Sequence, residues 1–257
     1  MPLLDVNGVA INYIDEGTGL AVVLVHGFAA SLQANWRAPG IIDTIRNSDR
    51  RVIALDARGH GRSGKPLDPH AYEGTKMADD VVAVMDHLGV DKADLIGYSM
   101  GGMISASLLV RHPERFRTVT LAGVGDRMIL GTRGREWTDA IAHAMESRTA
   151  RDATTDIARG FRVLAESLGN DLQALAAMQR SQRGGYDPAK LRDVKLPVMV
   201  LIGESDTLVG SADQVAAAIP GAKFFKVPGN HLTAVVAPEL KRALISFLDE
   251  HSPVPAK

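Results

Sequence analysis

The strongest chemical signal in the sequence is a serine between two glycines, in the segment Gly97-Tyr98-Ser99-Met100-Gly101. The segment follows a short strand pattern, Ala93 to Ile96, and precedes a helix pattern from Met100 to His112. A serine on a sharp strand-to-helix turn exposes its hydroxyl at the sheet edge, and this turn needs small residues two positions to either side. The context therefore predicts that Ser99 is a nucleophile, whereas GxSxG alone more often marks a plain glycine turn.

A serine hydroxyl is protonated at neutral pH, so it needs a neighbouring imidazole that takes its proton and later returns it. His231 is the candidate general base because it follows the last strand pattern, Lys223 to Val227, in a loop that can place the ring over the sheet edge. His26 follows an earlier strand, and we interpret it as a residue that braces its loop.

A carboxylate is needed to hold the imidazole in one tautomer and to stabilise its protonated form. Asp206 is the candidate because it follows the strand pattern Pro197 to Ile202 and gives the chain order Ser, Asp, His. A role as a turn residue or a helix cap is the alternative for Asp206. Asp126 also follows a strand end between Ser99 and His231, so it is a second candidate for the orienting acid.

Attack on a carbonyl group places a negative charge on its oxygen, and fixed backbone N–H groups are the usual means of stabilising that charge. Met100 follows the nucleophile, and Phe28 lies in His26-Gly27-Phe28 after the strand pattern Ala21 to Val25. We therefore predict an oxyanion hole formed by the N–H groups of Phe28 and Met100. Chemistry of this kind uses neither a metal ion nor a cofactor.

A glycine-rich segment, Gly59 to Gly64, matches the dinucleotide pattern GxGxxG, and with Lys65 it imitates a phosphate-binding loop. A pyrophosphate site needs a helix directly after the glycines, but Pro66 and Pro69 prevent a helix from starting there. Pro66 also stands where the phosphate-binding loop needs a Ser or Thr hydroxyl. The segment is therefore predicted to be a turn that leaves a strand.

The composition indicates a chain that folds on its own and does not bind nucleic acid. Of the 257 residues, 46% are hydrophobic and 23% are charged, which supplies a large core. The chain has 29 basic and 30 acidic residues, so it has no net positive charge that would attract a nucleic acid. It has no cysteine, which excludes disulfides and thiolate nucleophiles. The N-terminus lacks a signal-peptide pattern, and its longest apolar run is far shorter than the about 20 residues of a membrane span. We expect a cytoplasmic protein without membrane or nucleic-acid partners.

Short β-rich runs alternate with longer helical patterns, which is typical of a mostly parallel sheet with helices on both faces. Asn7-Gly8 predicts a hairpin between the opening strands, Leu3 to Val6 and Val9 to Ile14. Six further strands are predicted at Ala21 to Val25, Arg51 to Leu55, Ala93 to Ile96, Arg117 to Leu121, Pro197 to Ile202 and Lys223 to Val227.

Only helical patterns occur between Asp126 and Leu196, around Trp137 to Met145, Ala158 to Leu168 and Leu172 to Met178. Helices are also predicted at Met77 to Leu88 and Pro238 to Leu248. We therefore predict a core of residues 1–125 and 197–257 that is interrupted by a helical insertion of residues 126–196.

Five motifs occur in this order: His26-Gly27-Phe28, Asp56 to Ser63, Gly97 to Gly101, Gly203 to Asp206 and Gly229 to His231. Together they resemble the α/β-hydrolase superfamily over nearly the whole chain. The resemblance implies an α/β-hydrolase fold, with a mostly parallel eight-stranded sheet, helices on both faces and a small helical lid. Within the superfamily, the sequence looks like the compact esterases, the lactonases and the cofactor-free haloperoxidase or perhydrolase-like enzymes.

At two positions the sequence differs from particular members of the superfamily, and these differences disfavour their activities. Perhydrolase-like members typically have Trp-Pro after the first His-Gly, but this chain has Phe28-Ala29, which disfavours peroxide chemistry. Epoxide hydrolases and haloalkane dehalogenases share the turn from Asp56 to Ser63, but they need an aspartate nucleophile where this chain has Ser99.

The resemblance also implies that residues 126–196 form the lid and that apolar lid residues line an acyl pocket. The candidates for that pocket are Trp137, Ile141, Met145, Phe161, Leu164 and Leu168. Core packing between lid helices explains each of them equally well.

The sequence therefore predicts a serine hydrolase that cleaves carboxylic esters through an acyl-enzyme on Ser99, with His231 as general base and Asp206 as orienting acid. A lactonase or a carbon–carbon bond hydrolase would use the same three residues with a different pocket. A ligand-sensing receptor on the same fold is an alternative from a different functional class.

Overall fold

The computed structural model describes residues 2–130, 134–182 and 185–255. It has an eight-stranded sheet with the strand order β1-β2-β4-β3-β5-β6-β7-β8. The strands are β1 (Leu3–Val6), β2 (Val9–Glu16), β3 (Leu20–Val25), β4 (Arg50–Leu55), β5 (Ala93–Tyr98), β6 (Phe116–Ala122), β7 (Val198–Gly203) and β8 (Lys223–Val227). β2 runs antiparallel to its neighbours β1 and β4, and the other neighbouring pairs are parallel.

The helices are α1 (Ile41–Arg46), α2 (Lys76–His87), α3 (Met100–Arg111), α4 (Asp126–Ile129), α5 (Arg135–Glu146), α6 (Asp156–Ser167), α7 (Leu172–Arg180), α8 (Ala212–Ala217) and α9 (Pro238–His251). A π-helical turn covers Gln33–Arg37, and short 3₁₀ turns lie at Pro69–Tyr72, Pro113–Arg115, Ala150–Asp152, Pro188–Asp193 and Ala234–Val236. The π-helical turn, α1 and α4 have no counterpart in the sequence patterns, because segments this short show no clear helical period. None of the described helices is long and apolar enough to cross a membrane.

The sheet is covered on both faces, as β3 illustrates. Val23 and Val25 belong to the apolar cluster that also contains residues of α2 and α3. Val22 and Leu24 point to the opposite face, into the cluster that contains residues of α1 and α9. Burial on both faces explains why this strand is apolar at every position rather than at alternate ones. These observations confirm the predicted fold class.

The opening hairpin turns at Asn7-Gly8, where both residues have positive φ angles of 54° and 81°. This is the left-handed conformation that a tight two-residue hairpin turn requires. Val6 and Val9 are paired across the turn, as predicted.

The parallel strands β3, β5, β7 and β8 bring their carboxyl ends to one edge of the sheet. The loops after these four strands contain the candidate oxyanion, nucleophile, acid and base residues. Ligands of open α/β sheets bind at this edge.

Between β6 and β7 the described residues form α4 to α7, and no strand occurs among them. α5 packs against α6 and α7. Apolar residues of these helices, including Ala144 and Leu175, belong to the same buried cluster as Val23 of the sheet, so the insertion packs continuously with the main core.

Candidate active site

Ser99 lies on the turn between β5 and α3, with φ 53° and ψ −110°. Residues other than glycine rarely adopt positive φ angles. A Cβ atom on Gly97 would lie 2.2 Å from the carbonyl oxygen of Gly101, and one on Gly101 would lie 1.9 Å from the carbonyl oxygen of Val25. Both positions need glycine because the atoms they approach belong to the backbone and cannot rotate away.

The serine, histidine and aspartate selected from the sequence meet at this turn. Nε2 of His231 lies 2.8 Å from Oγ of Ser99, and Nδ1 of His231 lies 2.7 Å from Oδ2 of Asp206. A carboxylate only accepts hydrogen bonds, so Nδ1–H donates to Asp206 and Nε2 is left to accept the serine proton. The other carboxylate oxygen, Oδ1, accepts the N–H of Leu208 at 3.0 Å, which fixes the carboxylate plane.

The loops that contain the acid and the base are bonded to each other. The N–H groups of Glu204 and Ser205 donate to the carbonyls of Val227 and Gly229, at 2.8 and 3.0 Å. These two loops leave neighbouring parallel strands, so they start side by side. The hydrogen bonds then keep the carboxylate and the imidazole in register.

Asp126, the second candidate for the acid, has a different position in the structure. It begins α4, and its Oδ1 accepts the N–H of Ser211 at 2.7 Å. Its own N–H donates to the carbonyl of Ser211 at 3.0 Å. Asp126 therefore joins the start of the insertion to the loop that follows Asp206.

The loop after β3 is held on both sides of Phe28. The N–H of Gly27 donates to Oδ1 of Asn35 at 2.9 Å, and the N–H of Ala29 donates to Nε2 of His60 at 3.1 Å. These two bonds orient the peptide groups that flank Phe28. His60 belongs to the Asp56 to Ser63 motif and Asn35 to no motif, and only the fold shows that both act on this loop.

The N–H groups of Phe28 and Met100 form no hydrogen bond with another described residue. Met100 is the first residue of α3, where helical N–H groups lack intrahelical partners.

His26 is fully buried and braces the same loop, as interpreted from the sequence. Its Nε2 accepts the N–H of Ala57 at 3.0 Å, and its Nδ1–H donates to the carbonyl of Gly27 at 2.7 Å. Burial lowers the pKa of His26 more strongly than the nearby Asp56 carboxylate raises it. The ring therefore acts as a neutral brace.

The glycine-rich segment after β4 forms a turn around the carboxylate of Asp56, and α2 begins only at Lys76. Oδ2 of Asp56 accepts the N–H of Arg62 at 2.9 Å, and Oδ1 accepts the N–H of Leu32 at 2.8 Å. A Cβ atom on Gly61 would lie 2.2 Å from this carboxylate. The glycine is needed for packing around Asp56, and no helix directly follows it to bind a phosphate.

Two cavities meet at Ser99. The larger one lies on the His231 side and is lined by Gly27, Phe28, Ala30, Ala34, Asn35, Tyr98, Ser99, Phe161, Leu164, Leu168, His231, Leu232 and Val235. The inner one is smaller and is lined by Phe28, Ser99, Met100, Met103, Met128, Trp137, Phe161, Gln179, Leu208 and Val209. We call them the outer cavity and the inner cavity.

The predicted pocket residues fall into two groups. Trp137 and Phe161 line the inner cavity, while Phe161, Leu164 and Leu168 line the outer one. Ile141 and Met145 are not among the residues that line these two cavities, so a pocket role for them stays a prediction. Their side chains are only 1% exposed and belong to the main apolar core, because they lie on the part of α5 that packs inside the protein.

Several lining residues were not found by the sequence reasoning. Met103 lies one helical turn after Met100, so helical spacing from the nucleophile could have indicated it. Leu232 follows the candidate base directly and is 55% exposed. Gln179 is buried in α7 among apolar residues and gave no signal.

The model of the alpha/beta hydrolase fold family matches residues 21–153. This match covers more than half of the chain, and we conclude that the protein belongs to the α/β-hydrolase family. It is 28% identical over 276 residues to a 2-(acetamidomethylene)succinate hydrolase from Mesorhizobium japonicum, covering 96% of this chain and 94% of the relative.

A second relative is a 2-hydroxymuconate semialdehyde hydrolase from Pseudomonas sp. (strain CF600), which is 39% identical over 118 residues. That match covers 45% of this chain and 40% of the relative. Among solved structures, an N-acyl homoserine lactone degrading enzyme superposes with a TM-score of 0.70 at 27% identity, covering 96% of this chain and all of the other. These similarities show that the protein is a hydrolase of this superfamily, and they do not identify its substrate.

Proposed function

We propose that this protein hydrolyses carboxylic esters through an acyl-enzyme on Ser99. The observation that supports the proposal most is the hydrogen-bonded line from Ser99 Oγ through His231 to Asp206 Oδ2, with spacings of 2.8 and 2.7 Å. The unbonded N–H groups of Phe28 and Met100 supply the donors that an oxyanion needs.

In the first half of the reaction, Oγ of Ser99 attacks the carbonyl carbon while Nε2 of His231 takes the hydroxyl proton. The carbonyl oxygen becomes an oxyanion and accepts hydrogen bonds from Phe28 and Met100. Asp206 stabilises the imidazolium that forms. The carbon–oxygen bond to the alcohol then breaks, and the alcohol oxygen takes the proton from Nε2.

In the second half, water attacks the acyl-enzyme while His231 takes a proton from it. The bond to Ser99 breaks, the serine oxygen regains a proton from His231, and the carboxylic acid leaves. Each half moves one proton onto His231 and one proton off it, so the same three residues perform four proton transfers in one catalytic cycle.

The direct test is fluorophosphonate labelling together with p-nitrophenyl ester turnover. We expect one label, on the peptide that contains Ser99, and loss of both label and turnover in Ser99→Ala. Ser167→Ala is the control, because this serine is the last residue of α6 and its hydroxyl donates to the carbonyl of Leu164. Full turnover by Ser99→Ala would contradict the proposal.

A lactonase is the second candidate, favoured by the whole-length similarity to the enzyme that degrades N-acyl homoserine lactones. A lactone is a cyclic ester, so the same steps apply and the alcohol stays attached to the acyl group. In a carbon–carbon bond hydrolase Ser99 would also attack a carbonyl carbon, but the group that leaves would be a carbon atom instead of an alcohol oxygen. Relative kcat/KM values for an open-chain ester, a γ-lactone and a 1,3-diketone separate the three activities.

A further inference from the structure

Asn170 lies in the helical insertion and bonds to the loop that contains Phe28. Its side-chain amide nitrogen, Nδ2, donates to the backbone carbonyl of Ala29 at 2.8 Å, across 141 positions of the chain. The rings of Phe28 and Phe161 meet edge to face with centroids 5.4 Å apart, so a second contact joins the same two segments. The proposed reaction does not yet use Asn170, although its partner directly follows a candidate oxyanion donor.

The loop after β3 makes a tight turn from Gly27 to Ala30, in which the N–H of Ala30 donates to the carbonyl of Gly27 at 3.3 Å. The third residue of this turn, Ala29, has a φ of 57°. A positive φ at the third position is typical of a type II turn, which usually has glycine there. Alanine adopts this conformation at a cost, so contacts from outside the turn are needed to hold it.

Two side chains supply these contacts to the buried backbone of Ala29. Its N–H donates to Nε2 of His60 at 3.1 Å, and its carbonyl accepts the amide of Asn170 at 2.8 Å. His60 belongs to the turn after β4, whereas Asn170 belongs to the segment between α6 and α7. The insertion therefore supplies one of the two bonds that hold this turn.

The hydrogen bonds form a line from Asn170 to the candidate oxyanion site. The carbonyl of Ala29 shares a peptide group with the N–H of Ala30, and that N–H donates to the carbonyl of Gly27. The carbonyl of Gly27 in turn shares a peptide group with the N–H of Phe28. Hydrogen bonds that are linked through peptide groups orient and polarise one another. The bond from Asn170 to Ala29 therefore acts on the direction and strength of the Phe28 donor.

The backbone of Asn170 is fixed by the end of α6. Gly169 has a φ of 65°, and the N–H groups of Gly169 and Asn170 donate to the carbonyls of Glu166 and Ala165, at 3.1 and 2.9 Å. This is the Schellman arrangement that ends many helices. Because α6 also contains Phe161, which lines both cavities at Ser99, the turn that contains Phe28 is tied to a wall of the substrate site.

We infer that Asn170 is a positioning residue, which holds the turn from Gly27 to Ala30 so that the N–H of Phe28 points at the oxyanion. This inference rests on the proposed ester hydrolysis. An oxyanion donor acts on the transition state more than on the bound substrate, so loss of its support should lower kcat and leave KM unchanged. Removal of a whole donor lowers kcat by about 10²- to 10³-fold. The Phe28 donor remains when Asn170 is replaced, so we expect a smaller loss, of about tenfold.

The experiment compares Asn170→Ala and Asn170→Asp, which both remove the amide donor, while aspartate keeps the size of the side chain. Gln173→Glu is the matched control, because it makes the same change from amide to carboxylate on an exposed side chain of α7. Rates with p-nitrophenyl butyrate are expressed per active site, counted from the end point of fluorophosphonate labelling, so an unfolded fraction does not contribute. Both Asn170 variants should lose about tenfold in kcat with KM within about twofold of wild type, and the control should match wild type.

Two inhibitors separate positioning of the donor from a change in cavity shape. An alkyl trifluoromethyl ketone accepts attack by Ser99 Oγ, the serine proton passes to His231, and the ketone oxygen becomes an oxyanion like that of the reaction. The methyl ketone of the same chain length serves as the unreacted analogue. In the Asn170 variants, the KI of the trifluoromethyl ketone should rise by about tenfold, and the KI of the methyl ketone should not change.

Wild-type kcat and a wild-type KI for the trifluoromethyl ketone in either Asn170 variant would overturn the inference and leave ester hydrolysis standing. An equal rise of the two KI values would also overturn it, because that result is expected if loss of Asn170 only moves the wall formed by α6. An absence of Ser99-dependent turnover in the wild-type protein would overturn the proposed ester hydrolysis and the inference together.

Discussion

The hydroxyl of Tyr98 donates a hydrogen bond to the backbone carbonyl of His231 at 2.7 Å. Tyr98 directly precedes the candidate nucleophile, so this bond connects the turn after β5 with the loop after β8. Burial raises the pKa of Tyr98 well above its usual value, which keeps the hydroxyl protonated as a donor. The position of the proposed base therefore depends on a residue next to the nucleophile.

Tyr98→Phe should lower kcat for ester hydrolysis about tenfold, because the loop that contains His231 loses the hydrogen bond from the Tyr98 hydroxyl. It should also lower the free energy of unfolding by about 1 to 3 kcal/mol, since a buried carbonyl loses its donor. Tyr72→Phe is the matched control, because the hydroxyl of Tyr72 donates to the carbonyl of Pro66 at 2.7 Å, away from His231. The interpretation fails if both variants lose the same share of kcat.

Asp206→Asn should lower kcat by about three to four orders of magnitude, because an amide no longer selects the tautomer with Nδ1 protonated. Asp126→Asn should leave kcat within about threefold of wild type, since an amide oxygen can still accept the N–H of Ser211. Steady-state kinetics of the two variants decide between the acids. A large loss confined to Asp126→Asn would reverse the assignment.

His26 should make folding stability fall in mild acid. Burial lowers its pKa below the ordinary histidine value of 6.5, so the unfolded chain takes up a proton at a pH where the folded protein does not. The contribution of His26 to the free energy of unfolding is constant above pH 6.5. As the pH drops from 6.5 toward the pKa of His26 in the folded protein, the free energy of unfolding falls by up to about 1.4 kcal/mol per pH unit.

Urea titrations between pH 5 and 8 measure this slope, with the range chosen to be about 1.5 pH units either side of the ordinary histidine value. His26→Gln removes the titrating group, so its slope in this window should be smaller. A wild-type stability that is flat below pH 6.5 would show that the folded ring titrates normally.

Gly101→Ala should destabilise the fold by more than about 3 kcal/mol, because the added Cβ atom would lie 1.9 Å from the carbonyl oxygen of Val25. Gly160→Ala is the opposite case: apart from its chain neighbours and the backbone of its own helix, no described atom lies within 4 Å of the added Cβ, and the residue is inside α6. There, alanine should stabilise the protein by about 0.5 to 1 kcal/mol. Denaturant unfolding of both variants checks the contrast.

The main elements could be predicted because each has a local signal. α2 was predicted at Met77 to Leu88 and lies at Lys76–His87, and β8 lies at Lys223–Val227 as predicted. α5 shows the limit of such signals, since Trp137 lines the inner cavity while Ile141 of the same helix is buried in the core. Periodicity identifies the apolar face of a helix, but it does not reveal which neighbour each residue on that face contacts.

The sequence by itself determined the strand–turn–helix around Ser99, because Gly97 and Gly101 act within a few residues of the turn they permit. It also limited the base and the acid to a few loops that follow strands. Only the tertiary structure decided that Asp206 rather than Asp126 approaches His231, and that Asn35 and His60 orient the loop of Phe28. These contacts join residues that are distant in the chain, and their distances depend on strand order and loop path, which local propensity does not encode.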